Sequence, residues 1–496
     1  MSEFNDVTVV EVNEIMNAAK SAFMVMKKSS LAKRAELMLA IADGLENSGD
    51  ELIQLVMSET NLPDARLRGE RGRTIFQLRS YAKACVKGDW LEAAIDTAIP
   101  DKVPAKPDIR KMLVPIGPVV VFGSSNFPFA YSTAGGDTAS AFAAGCPVIV
   151  KAHPAHPKTS DAVANIIHQA VKQCGLPAAV FSHVHGVSFE VGKSLVLHPN
   201  TKAVGFTGSF SGGKALFDLA NQRDEPIPVF AEMGSVNPVF LLPEKIESDT
   251  QTIATAYAGS ITLGVGQFCT NPGLIIGIKS KALDAFKDAL SLQIKSLVPG
   301  TMLHAGISKA YEEKKSTALA QEGVTLLSTA EGEVSTNQGS PTVTTASGSK
   351  FLKNKLLHQE VFGPYSLVIE CANSEEMLAV ASSLEGQLTT TIMATEKDIE
   401  NHSNLFDVLS DKCGRIIMNG VPTGVEVCLS MHHGGPFPSS TDSRFTSVGA
   451  DAIKRFVRPL CFQNFPNQLL PMELQNENPL GIVRRINDEA TLSRIS

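Results

Sequence analysis

The sequence has no Cys-x-x-Cys pair, no dense run of lysine and arginine, and no apolar stretch of bilayer length. Each absence removes a class of function. Without cysteines at metal-ligand spacing, neither a zinc knuckle nor a thioredoxin-type dithiol is indicated, and no metal is expected. A net charge of −7 over 496 residues, with no basic block, gives no footprint for nucleic acid or an anionic membrane. The most apolar windows, such as MLVPIGPVVVFG, are interrupted by Pro and Gly well short of the roughly 18 residues that span a bilayer. The opening MSEFNDVTVVEVNE is acidic and has no basic, apolar-cored leader, so the expected location is the cytoplasm, with reduced thiols. No internal repeat is found.

What is present is an ordinary globular composition, 43% hydrophobic and 19% charged, long enough for two or three domains. Residues 9–86 read mainly as helices, with apolar residues at helical spacing in EIMNAAKSAFMVMKKS and LAKRAELMLAIADGLENS. Residues 98–115, rich in Pro and charge, read as an extended connector or edge hairpin. From 116 the pattern becomes strand–helix: IGPVVVFG, CPVIVKA, AVFSHVHG, KAVGFTG and IPVFAEMG are strands, nearly continuous in apolar residues, with helices between them. Such strands imply a parallel sheet covered on both faces, a nucleotide-binding type of unit. A second alternating region holds LIIGIKS, PYSLVIECA, TTTIMAT and GRIIMNG, while 302–350 is Ser/Thr/Gly-rich and poorly patterned. The expected fold is α/β: two Rossmann-like open parallel-sheet domains and a small β segment for oligomerisation. The expected boundaries are 1–99 with 116–234 for the cofactor domain, 235–445 for the catalytic domain, and 100–115 with 464–496 as bridging segments.

Of the eight cysteines, seven have apolar or strand-like surroundings that suit buried, inert thiols. Cys269 differs. In GVGQFCTNPG it sits in a glycine- and proline-bounded turn, where a thiol can be exposed and backbone N–H groups can face an oxyanion. Alone, it reads first as a loop cysteine of no consequence. Glu232, at the end of the strand in FAEMGSVNP, could be a general base with a raised pKa, or a solvated strand-end carboxylate. Asn126 in FGSSNFPF could donate to an oxyanion, or serve its own turn. In VGFTGSFSGGKAL, Gly208 permits close approach and Ser209 could cap a helix whose N-terminus meets a phosphate. Lys151 closes the strand PVIVK, suited to nucleotide hydroxyls or to solvent.

Taken together, in this order and each at a strand end or turn, these residues resemble the NAD(P)-dependent aldehyde dehydrogenase superfamily over nearly the whole chain. FTGS is similar to its cofactor turn, AEMGSVNP to its base motif, GQFCTNPG to its nucleophile motif and QEVFGP to its second cofactor motif. Ser235 and Gln359 depart from the usual pattern. Longer matches, including KAHPAHPKTSD and GGPFPSSTDSRFTSVGADAIKRF, resemble the branch that holds bacterial 2-oxoglutarate-semialdehyde (2,5-dioxopentanoate) dehydrogenases.

The resemblance implies Cys269 as nucleophile, Glu232 as base, and Asn126 with the Cys269 N–H as oxyanion hole. It implies Lys151 and Glu360 at the two riboses, Ser209 at the pyrophosphate and Phe362 beside the nicotinamide ribose. Pro154 stands where NAD-selective relatives often carry Glu, so NADP, favoured by Lys151 or His153, is the expected cofactor and NAD the alternative. The substrate is expected to be 2-oxoglutarate semialdehyde. Among the arginines of LPDARLRGERGRT, most suit a solvated face, and Arg66 or Arg73 is the expected partner of a substrate carboxylate. Phe129 is a further expected substrate contact. His432 and His433 read as loop residues. The alternatives are an acylating enzyme, which Glu232 argues against, a long-chain aldehyde dehydrogenase, and a non-catalytic relative. A homodimer or homotetramer is expected.

Overall fold

The computed structural model describes residues 4–495; the first three residues of the 1–99 segment and the last of the tail lie outside them. Two open sheets, a third five-stranded sheet and a two-stranded ribbon organise the described residues. The first has five parallel strands in the order Phe181–Val184, Val148–Lys151, Val119–Phe122, Ala203–Thr207, Val229–Glu232. The chain starts at the central strand, winds outward one way, then crosses to the other side. That reversal leaves a crevice at the carboxyl ends of the strands, where ligands bind in such sheets.

Alternation decides what covers each face. Val119, Val121, Val148 and Val150 pack with the helices Leu31–Glu46, Asp64–Lys87, Gly136–Ala144 and Pro157–Gln173. Val120 and Ile149 pack on the opposite face with the helices Val9–Met26 and Phe189–Leu197. The helix Gly136–Ala144 is buried along its whole length by its small residues. Its C-terminal carbonyls are met by a buried cation: Arg34 Nη1 donates to Ala144 O at 2.8 Å. A guanidinium there answers both the orphan acceptors and the negative end of the helix dipole.

The second sheet has seven strands, in the order Thr325–Thr329, Thr342–Ser347, Tyr365–Cys371, Leu274–Ile278, Val239–Leu241, Gln387–Met393, Cys413–Met418. All are parallel except the antiparallel edge strand Thr325–Thr329. The stretch 302–350, patternless by hydropathy, thus holds two strands of this sheet, the short strand Gln338–Gly339 and the helix Ala305–Leu319. Its strand TVTTAS is buried despite its hydroxyls, because β-branched Thr suits a pleated surface and Thr344 Oγ1 bonds Tyr365 Oη at 2.7 Å.

The third sheet runs Val457–Gln463, Ile109–Pro115, Ala94–Asp96, Arg484–Ile486, Glu489–Thr491. Two of its strands fall outside the expected bridging segments. Ala94–Asp96 lies within 1–99, and Val457–Gln463 lies in 446–463, a stretch given to no domain. Pro459 and a half-polar alternation hide the latter strand from a search for apolar runs. Among the described residues no helix is long and apolar enough to cross a membrane.

Candidate active site

The link from the first sheet to the second, Met233 to Pro238, carries the strand end with Glu232 into Val239–Leu241. It is fixed by one side chain. Gln387 Oε1 accepts from Ser235 Oγ at 2.9 Å, Val236 N at 2.9 Å and Asn237 N at 3.2 Å. Ser235, the departure from the family motif, uses its hydroxyl in this lock and also accepts from Leu388 N at 3.1 Å. Asn237, in the left-handed region at φ 43°, then donates from Nδ2 to the carbonyls of Cys269 and Asn271, both at 2.9 Å. The cysteine turn is tied to the segment that follows Glu232.

The turn is entered through three successive left-handed residues, Gly264, Val265 and Gly266, with φ of 55°, 58° and 65°. Gly266 also lies where a Cβ would stand 2.3 Å from the Gly363 carbonyl. A β-branched residue at positive φ costs on the order of 1–3 kcal/mol, so surrounding contacts must hold Val265 there. Among them are Asn271 Nδ2 to Gly363 O at 3.1 Å and Leu303 N to Gln267 Oε1 at 3.0 Å. Asn126 is buried and donates from Nδ2 to Gln267 O at 3.1 Å, leaving its second amide hydrogen free. No hydrogen bond to the Cys269 N–H is seen among the described residues.

The Cys269 sulfur, a Glu232 carboxylate oxygen and a His433 ring nitrogen lie within 4.8 Å of one another. His433 is therefore part of the site, not a bystander in its loop. Its Nε2 is 3.0 Å from Glu232 Oε1 and 3.6 Å from Cys269 Sγ. The hydrogen-bond angle is met at the sulfur and not at Oε1, which stays buried without a hydrogen bond. Ser447 Oγ donates to the other oxygen, Oε2, at 2.7 Å.

Burial and the neighbouring Glu232 charge push the Cys269 thiol well above its ordinary value. Burial alone would raise Glu232 too. The facing His433 and the hydrogen bond from Ser447 outweigh it and hold the carboxyl below its ordinary value. The raised Glu232 pKa expected from its strand-end position is thus corrected. The sulfur rests as a thiol beside a carboxylate with one unbonded oxygen, an arrangement able to pass the thiol proton to Glu232 as the sulfur attacks.

Cys269 opens onto a cavity of about 760 Å³ whose wall includes Arg73, Phe127, Tyr131, Phe268, Arg415 and Met431. Phe129 is absent from it: the ring is fully buried in the first domain's core, and its N–H donates to Glu70 Oε1 at 2.8 Å. The chain turns over residues 128–131, where Tyr131 N donates to Phe127 O at 3.3 Å, and the turn sets Phe127 toward the cavity and Phe129 away from it. Arg66 does not line the cavity either. It lies between Phe127 and Phe268, 5.0 and 4.9 Å from their centroids, and donates to Asn126 O at 2.7 Å. Arg73 does line it, 5.6 Å from the Tyr131 centroid, and donates to Val425 O at 2.9 Å. Arg415, which sequence reasoning missed, donates to Pro422 O at 3.1 Å and Gly424 O at 3.2 Å, with its Nε buried and unbonded. Neither cavity arginine has a carboxylate partner among the described residues.

The crevice of the first sheet fits a dinucleotide. Gly208 and Ser209 are exposed ahead of the helix Phe210–Asn221, whose N-terminus Ser209 caps by accepting from Gly212 N at 3.2 Å. Lys151 is half-buried at the end of its strand. Burial holds His153 well below its ordinary value, so the ring can offer a hydrogen bond there but no charge to a phosphate. On the second domain, Glu360 and Phe362 face the same link. A Cβ on Gly234 would meet Glu360 Oε2 at 2.5 Å, and burial pushes that carboxyl up to about 7. Lys314 Nζ donates to the Glu360 backbone carbonyl at 3.0 Å and no salt bridge to the Glu360 carboxylate is seen among the described residues, so the half-buried acid suits paired ribose hydroxyls.

The aldehyde dehydrogenase family model matches residues 1–459. The chain belongs to the aldehyde dehydrogenase family. It is an NAD(P)-dependent enzyme. An α-ketoglutaric semialdehyde dehydrogenase 2 of Azospirillum brasilense is 47% identical over 475 residues, covering 96% of this chain and 90% of that protein. An α-ketoglutaric semialdehyde dehydrogenase of Acinetobacter baylyi is 44% identical over 490 residues, covering 98% and 93%. Among solved structures, glyceraldehyde-3-phosphate dehydrogenase GapN of Methanocaldococcus jannaschii, complexed with NADP, superimposes with a TM-score of 0.78. It is 22% identical and covers 93% of this chain and 95% of its own. The cysteines of this dehydrogenase are all free; Cys428 and Cys461 are exposed and Cys413 is half-buried, so not all seven outside the site are core thiols.

With the thiol raised, iodoacetamide labelling of Cys269 in the unliganded enzyme should speed up about tenfold per pH unit through pH 9, without a plateau. Glu232→Gln removes the negative neighbour, lowers the thiol pKa and should raise labelling at pH 8 about tenfold. Mass spectrometry of the Cys269 peptide reads both; slower labelling in Glu232→Gln would refute the electrostatic coupling.

Proposed function

We propose that this enzyme oxidises 2-oxoglutarate semialdehyde to 2-oxoglutarate. The observation that carries the substrate choice is the pair Arg73 and Arg415, two guanidiniums without carboxylate partners in the cavity that holds Cys269. Cations in a half-buried cavity are costly unless an anion answers them. A short aldehyde with a carboxylate at its far end supplies that anion and leaves its carbonyl at the sulfur. The relatives of highest identity described above carry the same substrate in their names.

In this reading Cys269 gives its proton to the unbonded oxygen of Glu232 and the sulfur attacks the aldehyde carbon. The alkoxide so formed accepts from the free hydrogen of Asn126 Nδ2 and from the Cys269 N–H. The nicotinamide of bound NAD(P) supplies the acceptor for the departing hydride. Cys269 is left as a thioester and Glu232 gives the proton it took to solvent; it then draws a second proton from water as hydroxide adds to the thioester carbon, and returns that proton to the departing sulfur. Carboxylate leaves and the thiol is restored. Glu232 makes the enzyme a hydrolytic rather than an acylating one. Arg66 serves as a positioning residue, holding the Asn126 carbonyl and the Phe268 ring.

Ser209 and the helix behind it take the pyrophosphate, with Gly208 giving room for its approach. Lys151 and Glu360 take the riboses, and Phe362 borders the nicotinamide end. Lys151, with no acid at Pro154 to repel a 2′-phosphate, supports NADP over NAD. Eight unpaired cysteines suit a reducing cytoplasm.

Cys269→Ala should lose at least about a thousandfold in kcat. Arg415→Met should raise KM for the semialdehyde about 10- to 100-fold, the loss of a charge-assisted hydrogen bond, and leave an uncharged aldehyde of equal length within about twofold. Equal effects on both aldehydes, or none on the semialdehyde, would remove the carboxylate from the proposal.

We also propose that the third sheet joins copies of the chain as a homodimer or homotetramer. Val483, Leu492, Phe465, Leu469 and Met472 leave apolar surface exposed along it. Light scattering of the purified enzyme should give two or four chains per particle; a monomer contradicts this.

A further inference from the structure

The motif HVH in the edge strand of the first sheet has no part in the reaction. Residues two apart on a strand point to one face, and His183 and the ring one residue past the strand's end, His185, both turn toward the helix Pro157–Gln173. Val150, the register partner of His183, packs on that same helix-covered face. Lys151, the next residue, points to the opposite face, so its side chain and the two histidines lie on opposite sides of the sheet.

Asp161, in the second turn of the helix, brings one oxygen to both rings. Its Oδ1 is 3.7 Å from His183 Nδ1 and 3.4 Å from His185 Nε2, and the three donor atoms all lie within 4.8 Å of one another. Charge-assisted N–H···O bonds run at about 2.7–2.9 Å, so these separations are long for direct contacts. They suit three corners of a tetrahedron around a shared ion: bonds of about 2.0–2.1 Å give edges of about 3.4 Å.

The surroundings orient the rings. Ser160 Oγ lies 2.9 Å from His183 Nε2, and Thr133 Oγ1 lies 2.5 Å from Ser160 Oγ. With the proton on Nε2 donated to Ser160, and the Ser160 hydroxyl donated to Thr133, the lone pair of Nδ1 faces Asp161. A hydrogen bond on the far ring nitrogen that fixes the ligating tautomer is a regular feature of metal sites. Phe4 stacks on His185 at 4.2 Å, and Val7 N donates to the His185 carbonyl at 3.1 Å, closing one side with the N-terminal segment. Asp161 is half open to solvent, which leaves the fourth corner for water.

We propose that Asp161, His183 and His185 form a zinc site that ties the edge strand to the helix Pro157–Gln173 beneath the N-terminal segment. Its donor set, two imidazoles and one carboxylate, matches Zn²⁺ and excludes a hard-cation site for Mg²⁺ or Ca²⁺.

The test must avoid the second zinc-competent set, Glu232, Cys269 and His433, so it is run in Cys269→Ser protein. Calorimetric titration with ZnCl₂ should show one site per chain, and Co²⁺ in its place should give the strong visible bands of four-coordination. Asp161→Ala and His185→Ala should each weaken Zn²⁺ binding at least tenfold while the thermal shift on adding NADP⁺ stays unchanged, a sign that each variant is folded. No saturable binding in the Cys269→Ser protein, or parental affinity in both ligand variants, overturns the proposal. If a variant does not fold, the parent's Co²⁺ spectrum decides: weak six-coordinate bands overturn it.

Discussion

The site depends on the amide of Asn237. One side chain of the inter-sheet link holds the carbonyls on either side of Thr270, and Gln387 from a neighbouring strand holds the link itself. Glu232 is fixed by the register of the first sheet, Cys269 by a turn that enters the second. Backbone bonds from Gly273 N and Leu274 N to Val236 O, at 2.9 and 3.2 Å, hold the turn to the same link. The left-handed conformation of Asn237, and the strained Val265 before the turn, are the backbone conformations this arrangement requires.

The electrostatics follow from that placement. A carboxylate beside a buried thiol opposes the thiolate, so the resting pair keeps its proton on sulfur and its charge on Glu232. Ser447 and His433 stabilise that charge, and the unbonded Oε1 keeps a lone pair toward the reaction. The same low-dielectric surroundings strengthen the demand of Arg73 and Arg415 for an anion. Proton transfer at one end of the cavity and substrate orientation at the other therefore share one cause, exclusion of water.

Much of this was legible in the sequence, and what was not has a common reason. Cys269, Glu232 and Asn126 sit in short motifs whose glycines and prolines mark turns at strand ends, and the parallel sheets show in continuous apolar runs. His433 and Arg415 lie 164 and 146 residues beyond Cys269, in a Gly/Pro-rich loop and on a half-exposed strand, where nothing local distinguishes them. Asn237 and Gln387 look like ordinary polar residues until the strand order makes them neighbours. Phe127 and Phe129 are equivalent by composition; only the direction of the chain after Asn126 separates the cavity wall from the core. The strand Val457–Gln463 escaped because its partner, Ile109–Pro115, is remote and its own pattern is half polar.

The direct test of the Cys269–Glu232 division of labour is a rapid-quench measurement on Glu232→Gln with the semialdehyde and NADP⁺. At pH 9, where the lowered thiol loses its proton to solvent without Glu232, one equivalent of NADPH should form in a burst, with the acyl mass retained on the Cys269 peptide and slow release thereafter. Steady turnover without a burst, or an acyl group carried on any residue other than Cys269, would contradict it.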